Sequence, residues 1–481
     1  MKNVSIWCDT IKNKVCKSLD SDIDVDVLII GGGITGITTA YHLINSNLKV
    51  CLVERNEVGM GVTSRTTGKI SYLQENIYSK IKNYHGADAA KVYLQSQIEA
   101  TNMIKDIVNK NNIDCNLEQV NSYIVNNCDT KYVAEKNALK DIGVNIKEDN
   151  KDSFYVDDTY VFHPLKYLYS LKDICLNNNI AIYENTKINS INKENDYYIC
   201  KTYKNNIKAK YVVLALHYPY FLIPFFMPLK TYIEKSYIKA SRTNKNYKLS
   251  SITITKPVKS IRYYSNDTHN YEIFLTNTHN LCVKNNDKDN FDELISLNEN
   301  KPDYVWSNND IMTNDSLPFI GAIDSSNTLL IGTGYNTWGM TNGVLAGKIL
   351  SNIILNKRNK YIDLFNPLRN INSGKVLNFP LILGSNTYSF VKSKISKQKS
   401  WYNENVKFEK RNGDNVAIYI DENKKEHIVY NLCPHLKCSL IFNEVEKTWD
   451  CPCHGSRFDI DGKCIEGPSN YDITYKKGSN L

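Results

Sequence analysis

The sequence predicts an α/β fold built on a parallel sheet and followed by a small all-β domain, and three observations carry that reading. A strand–glycine–helix–strand unit opens the chain, two apolar runs downstream have the length of buried strands, and a hairpin pattern leads into a tight cysteine cluster near the far end. Chains of 481 residues normally divide into two or three domains.

Val25-Asp-Val-Leu-Ile-Ile30 is a short apolar strand run, followed by a glycine cluster and then a helix-period segment from Ile34 to Ile44 that includes Ile37, Ala40, Tyr41 and Leu43. Val50-Cys-Leu-Val-Glu54 supplies the second strand, which makes a βαβ opening and starts a parallel sheet. Val92, Leu94, Ile98, Met103, Ile104 and Ile107 suit one long amphipathic helix over Tyr84 to Lys110. Short strands and helices then alternate to about Asp310. Tyr211-Val-Val-Leu-Ala-Leu216 and Thr328-Leu-Leu-Ile-Gly332 would join the first sheet as further buried strands. From Tyr361 to Tyr402 the pattern loosens around Pro367, Gly374, Pro380 and Gly384, with Lys392, Lys394, Lys397 and Lys399 close together, and a linker is expected there. Val416 to Tyr430 reads as a hairpin turning at Asp421-Glu-Asn-Lys424. There is no internal repeat and no low-complexity tract.

The composition, 42% hydrophobic and 23% charged, is that of a globular protein. The net charge of +8 is spread over scattered lysines rather than gathered on one helix or face, which argues against nucleic acid as a partner. Met1 to Asp26 contains no apolar run leading to a small-residue cleavage site. The longest apolar stretch, Tyr218 to Leu229, is too short to span a bilayer and is broken by Pro219, Pro224 and Pro228. A cytoplasmic protein without a transmembrane segment is expected.

Eight of the 13 cysteines are scattered between Cys8 and Cys282, whereas five crowd into Cys433 to Cys464. In that segment Cys433-Pro-His435-Leu-Lys-Cys438 is followed, after 12 residues, by Cys451-Pro-Cys453-His454-Gly-Ser456. Two cysteines and two histidines can hold a tetrahedral zinc or an iron–sulfur cluster. Zinc knuckles use Cys-x-x-Cys or His-x3–5-His spacing, and neither is present here.

The pattern, with 15 residues between His435 and Cys451, resembles the ligand set of Rieske [2Fe–2S] proteins. That resemblance implies Cys433 and Cys451 on one iron and His435 and His454 on the other. It also implies a disulfide between Cys438 and Cys453, hydrogen bonds to cluster sulfurs from Gly455 and Ser456, and a proline loop at Gly467-Pro468 over the cluster. Lys437 replaces a glycine often found there, and Phe458 stands where high-potential members carry a tyrosine donor. A potential toward the lower part of the Rieske range follows.

Gly31-Gly32-Gly33-Ile34-Thr35-Gly36 is a G-x-G-x-x-G between strand and helix, and Glu54-Arg55 closes the second strand 23 residues after Gly31. Gly31 allows the tight turn, Gly33 lets a pyrophosphate approach the helix N-terminus, and Gly36 lets helix and strand pack closely, while Glu54 would accept from a ribose hydroxyl. These residues predict a Rossmann-type dinucleotide site without choosing between FAD and NAD.

Three further segments bear on that choice: Gly61-Val-Thr-Ser64-Arg-Thr-Thr67-Gly68-Lys69-Ile70, Asp315-Ser-Leu-Pro-Phe-Ile-Gly321, and Gly332-Thr-Gly334-Tyr-Asn-Thr-Trp-Gly339-Met340-Thr341-Asn-Gly343. Together they resemble the amino-acid-oxidase-like FAD-dependent oxidoreductases, which include glycine and sarcosine oxidases and D-amino-acid dehydrogenases. The resemblance covers residues 20 to 360 or so. It implies that FAD is the dinucleotide, that the first of these segments runs beside the isoalloxazine, and that the last opens a helix facing the flavin pyrimidine edge. With Ser5-Ile-Trp7 before the flavin part and the Rieske segment after Trp401, the whole chain is similar to bacterial FAD-dependent oxidoreductases that carry a C-terminal Rieske domain.

The full expectation is an α/β Rossmann-type FAD-binding domain with an interleaved α+β substrate domain, followed by a small all-β Rieske domain. Residues 1–360 form the flavin module, with FAD-binding parts near 20–80, 155–216 and 310–360 and substrate parts near 81–154 and 217–309; 361–405 is the linker and 406–481 the Rieske domain. Lys69 would lie beside the flavin, and Arg262, in Ser260-Ile-Arg-Tyr-Tyr264, could pair with a substrate carboxylate. His163-Pro164 reads as a turn. The expected activity is oxidation of a small amine or amino-acid-like substrate, with electrons passing from FAD through the cluster to a one-electron acceptor, protein or quinone. A reductase fed by NAD(P)H and a non-catalytic redox sensor are the alternatives.

Overall fold

Val25, Val27, Leu28, Ile29 and Ile30 are all buried, and a strand apolar on both faces belongs at the centre of a covered parallel sheet. The computed structural model, which describes residues 1–126, 130–219, 230–254, 256–281, 287–297, 300–370 and 404–475, places it there. In spatial order the parallel strands are Leu329–Thr333, Asn206–Leu214, Ile23–Ile30, Val50–Val53 and Ala181–Tyr183. Phe319–Ala322 closes one edge antiparallel, and Ser190–Glu194 and Tyr197–Lys201 form a hairpin off Asn206–Leu214. Helices Ile34–Leu43 and Gly339–Ile354 pack against each other beside this sheet. Their contact is close because a Cβ at Gly347 would meet Thr38 at 2.7 Å.

A second, nine-stranded sheet runs Tyr304–Thr313, Thr231–Thr243, Asn270–Asn280, Ser260–Ser265, Leu249–Thr253, Glu118–Val125, Ser153–Val161 and Lys69–Ile70, with Lys147–Asn150 off Ser153–Val161. It is antiparallel except where Leu249–Thr253 meets Glu118–Val125. The C-terminal domain is all β: a three-stranded sheet, Val406–Arg411, Asp414–Ile420 and Glu426–Tyr430, and a four-stranded one, Ile441–Asn443, Thr448–Asp450, Arg457–Phe458 and Cys464–Glu466. The architecture is an α/β part with a second, mostly antiparallel sheet, followed by a small all-β domain.

Several local readings change. The helix expected over Tyr84 to Lys110 is two helices, Ile77–His85 and Ala87–Lys110, because Gly86 at φ 92° takes a conformation no helix continues through. His163 is not merely a turn residue: its Nδ1 accepts from Lys166 N at 3.2 Å and caps helix Pro164–Asn177. The expected linker does not begin at Tyr361. Up to Arg369 the chain is anchored, with Phe365 buried and the Arg369 guanidinium paired to Asp315 at 2.7 Å, while 371–403 lie outside the described residues. The proline-rich run after Pro219 also lies outside them, up to Leu229. Among the described residues no helix is long and apolar enough to cross a membrane.

Candidate functional site

Backbone crowding explains two of the three glycines in the first loop. At Gly31, φ is 113° and a Cβ would meet Ala215 O at 2.4 Å; at Gly36 it would lie 1.9 Å from Gly31 O. Gly33 is different: its φ of −81° suits any residue, and a Cβ there would meet only Thr63 Oγ1 at 3.3 Å. The space in front of Gly33 belongs to an open cavity. Gly31, Ile34, Thr35, Glu54, Arg55 and Gly61 line the cavity on one side, Gly339 and Met340 on another. Glu54 takes Gly32 N at 2.7 Å and Asn56 N at 2.9 Å, which fixes its carboxylate at the cavity wall.

The cavity thus runs from an acidic group, past the N-terminus of helix Ile34–Leu43, to the N-terminus of helix Gly339–Ile354. His217 also lines it. The Nε2 of this ring is buried without a partner, and burial pushes the imidazole down to about 4, so it is neutral at physiological pH. An elongated, partly polar cavity with an orphaned ring nitrogen fits FAD.

Gly32, Ser64, Gly334 and Thr341, also expected at the flavin, do not line this cavity. Gly32 is packed on Val58 and Glu54, Ser64 Oγ donates to Gly61 O at 2.8 Å, and Gly334 turns the chain at φ 73°. Thr341 faces the interior, where its hydroxyl meets Gln97 Oε1 at 2.7 Å.

A second cavity adjoins the first, since Val62, Gly339 and Met340 line both. Thr67 and Lys69 also line it. Lys69 Nζ donates to Ser260 Oγ at 2.6 Å and Ser251 O at 2.8 Å, and burial, with the nearby Arg262 charge, brings the ammonium down to about 7. Arg262 does not line this cavity, and the expectation that it pairs with a substrate carboxylate is corrected. It is 1% exposed, and its N–H groups go to the carbonyls of Thr67, Gly68, Phe162 and Tyr263 at 2.8–3.2 Å. Its role is to clamp the loop carrying Thr67, Gly68 and Lys69. Gly68 fits beneath it because a Cβ there would meet Arg262 Nη1 at 2.8 Å.

The cysteine–histidine constellation comes together on two loops. The Cys433 and Cys451 thiols hydrogen-bond each other, which brings Cys433 down to about 7 and pushes Cys451 up. Cys433 Sγ also receives the backbone N–H of His435 and Leu436 and the Ser456 side chain, and Cys451 Sγ receives the N–H of Cys453 and His454. The His435 and His454 rings lie 5.0 Å apart, and the Nδ1 of each is buried without a partner. Burial lowers both, His454 to about 4, so they are neutral and able to ligate. Two thiols in a nest of donors and two neighbouring imidazoles with orphaned neutral nitrogens, carried by the same two loops, fit a mixed-ligand cluster.

Cys438 and Cys453 are joined by a disulfide with Cα atoms 6.7 Å apart, tying the two loops. The sulfurs of Cys438, Cys451 and Cys453 lie within 4.8 Å of one another, but the disulfide leaves Cys451 the one free thiol of the three. Lys437 sits at φ 57°, a conformation that suits the glycine it replaces.

Sequence reasoning missed how the two parts meet. Ile465, Glu466, Gly467, Ser469 and Asn470 of the C-terminal domain form part of the wall of the first cavity. Arg55 reaches Ser469 O at 3.4 Å, and Asn309 Nδ2 reaches Gly455 O, next to His454, at 3.3 Å. A buried ionic network fastens the contact. Lys235 bridges Asp287 and Asp450 at 2.8 and 3.1 Å, and Glu446 takes Arg457 at 2.6 Å and Arg65 at 3.1 Å. Burial alone would raise Glu446, but Arg457, Arg65 and Lys235 outweigh it and hold the carboxyl low.

The FAD dependent oxidoreductase family matches residues 26–353, and the Rieske [2Fe-2S] domain matches residues 392–475. The chain belongs to the FAD dependent oxidoreductase family and carries a Rieske domain; it is an FAD-dependent oxidoreductase whose cofactors are FAD and a [2Fe–2S] cluster. YhfW of Bacillus subtilis (strain 168), whose name assigns it provisionally to the Rieske 2Fe-2S iron-sulfur proteins, is 29% identical over 94% of this chain and 93% of its own length. Gamma-glutamylputrescine oxidoreductase of Escherichia coli (strain K12) is 22% identical over 77% of this chain and 94% of its own. Among solved structures, glycine oxidase from Geobacillus kaustophilus superposes with a TM-score of 0.60 at 14% identity, covering 73% of this chain and all of that one, a likeness of fold.

Proposed function

We propose that this oxidoreductase oxidises a small amine or amino-acid-like substrate in the second cavity and sends the electrons from FAD through the Rieske cluster to a one-electron acceptor, protein or quinone. One observation carries this reading: Ile465, Glu466, Gly467, Ser469 and Asn470, in the domain of the cluster loops, wall the flavin cavity. When bound, FAD takes an electron pair from substrate and yields it singly to a cluster that relays one electron at a time. Gly31 and Gly33 with the N-terminus of helix Ile34–Leu43 would hold the pyrophosphate, Glu54 the ribose, and the N-terminus of helix Gly339–Ile354 the reduced ring. Cys433, Cys451, His435 and His454 would ligate the cluster. His217, which hydrogen-bonds the Asn309 backbone, and the Asn309 side chain on Gly455 O link the flavin cavity to the histidine loop. Leu436 and Lys437 beside His435 are exposed, which leaves that edge open to an acceptor. Anaerobic mixing separates the readings: amines or amino acids should bleach the flavin, whereas bleaching by NADH or NADPH alone would favour a nicotinamide-fed reductase.

Lys69 takes the substrate's proton in this reading. Because its ammonium is held at about 7, it is charged below that pH and neutral above it. The limiting rate of flavin reduction at saturating amine should therefore rise with pH through about 7 and then level off. Lys69→Met should remove that step and lower the plateau by about a hundred-fold, the scale of one general base. An unchanged pH profile in rapid-mixing measurements on Lys69→Met would remove the lysine from the reaction.

A further inference from the structure

We infer, resting on the amine-oxidation reading above, that the second cavity takes a cationic amine with no carboxylate beside its amino group. Two adjacent strands pave one wall. Glu234 pairs in register with Asp310, and two residues along, Ser236 pairs with Asn308, so the four side chains share one face of the sheet. All four line the cavity, and Glu75 joins them. Like charges directly opposite across a strand pair repel, and the arrangement is relieved when a cation lies between them.

The polar atoms left open on this wall, an amide oxygen and a hydroxyl, can both accept from an ammonium. Asn308 donates its amide to Asp310 Oδ2 at 2.9 Å, which leaves Asn308 Oδ1 buried and unpartnered; Ser236 Oγ is likewise buried without a partner. Asn308 and Ser236 are 5% and 4% exposed. Lys256 pairs with Glu234 at 2.8 Å from the solvent side, but neither Glu75 nor Asp310 has an ion-pair partner among the described residues. Burial, with Glu234 and Glu466 nearby, holds Asp310 up at about 7, a carboxyl that an adjacent ammonium would draw back into its charged form.

No described lining residue offers a free cation to a carboxylate. Arg65 is committed to Glu446 and to Ser307 O at 3.1 Å each. Lys69 is hydrogen-bonded to Ser251 and Ser260 and loses its charge near neutrality. Arg262, the remaining candidate, does not line the cavity, and its N–H groups are consumed by backbone carbonyls. A substrate carboxylate would meet three carboxyls, whereas an ammonium would find acceptors on the paved wall.

Pentane-1,5-diamine and lysine differ only by the carboxylate and make the test direct. Each, with both lysine enantiomers, is titrated anaerobically into the holoenzyme, reading the perturbed flavin spectrum for Kd and then its bleaching. The diamine should bind at least about ten-fold more tightly than either lysine, and Asp310→Asn should weaken the diamine by about ten-fold while changing lysine by less than about two-fold. Glu75→Gln, measured in the same way, serves if Asp310→Asn does not fold with its flavin. The inference is overturned if either lysine binds and bleaches as well as the diamine, if no probe perturbs the flavin, or if the folded variant leaves the diamine Kd unchanged. Bleaching by NADH or NADPH with none by any amine or amino acid would instead overturn the amine-oxidation reading beneath it.

Discussion

Cys433→Ala and Cys451→Ala should each abolish the iron–sulfur cluster and leave the flavin in place. Each thiol is held by backbone N–H donors that stabilise a thiolate, and the adjacent Cys438 and Cys453 are tied together and cannot take its place. Wild-type protein should contain two irons and two acid-labile sulfides per chain, the composition of the cluster type, and the variants close to none. One zinc and no sulfide in the wild type would overturn the reading of the domain. The glycine loop and helix that would hold the FAD pyrophosphate belong to the α/β part of the chain, so FAD content and substrate bleaching should survive, while reduction of a one-electron acceptor falls to background. Replacing His435 or His454 by Cys should lower the potential wherever the cluster still assembles, since a thiolate replaces a neutral ligand.

Gly33→Val should block FAD binding without unfolding the chain. Valine tolerates the φ of −81°, and its Cβ would meet only Thr63 Oγ1, at 3.3 Å. Its branched methyls instead occupy the cavity in front of the helix N-terminus and keep a pyrophosphate off the backbone N–H groups. Two charge-assisted hydrogen bonds lost there correspond to about 3 kcal/mol, or about a hundred-fold in affinity. Flavin absorbance of the purified variant should be near zero while its iron and sulfide stay at wild-type levels. Full flavin content in a folded variant would reassign the loop. Gly36→Val would not make this test, since its Cβ collides with Gly31 O at 1.9 Å and strains the fold itself.

What could be read from the chain alone was whatever lies close together along it. The glycine loop, the two cysteine–histidine loops and the hairpin at Asp414–Tyr430 are set by short-range spacing, and each appears where its residues imply. Gly86 shows the limit of periodicity: apolar spacing continues across it, while a left-handed backbone breaks the helix. Arg262 shows another. Its sequence neighbourhood suggested a substrate contact, but the carbonyls of Thr67, Gly68 and Phe162 that absorb it come from segments 100 or more residues away. The acidic wall was invisible for the same reason, since Glu75, Glu234 and Asp310 meet only through strand pairing and loop packing. So was the closing of the flavin cavity by residues 465–470, which depends on a buried network of Lys235, Asp450, Glu446, Arg457 and Arg65 that no local pattern announces.

Electron flow from substrate to cluster within one chain is the central claim, and paramagnetic resonance on the substrate-reduced protein tests it most directly. The holoenzyme is mixed anaerobically with an amine that bleaches its flavin, with no other protein present, and frozen at successive times. The Rieske-type signal of the reduced cluster should grow in after bleaching, and Gly33→Val, which retains the cluster, should show none. A bleached flavin beside a cluster that stays oxidised, although dithionite reduces it, would contradict the account.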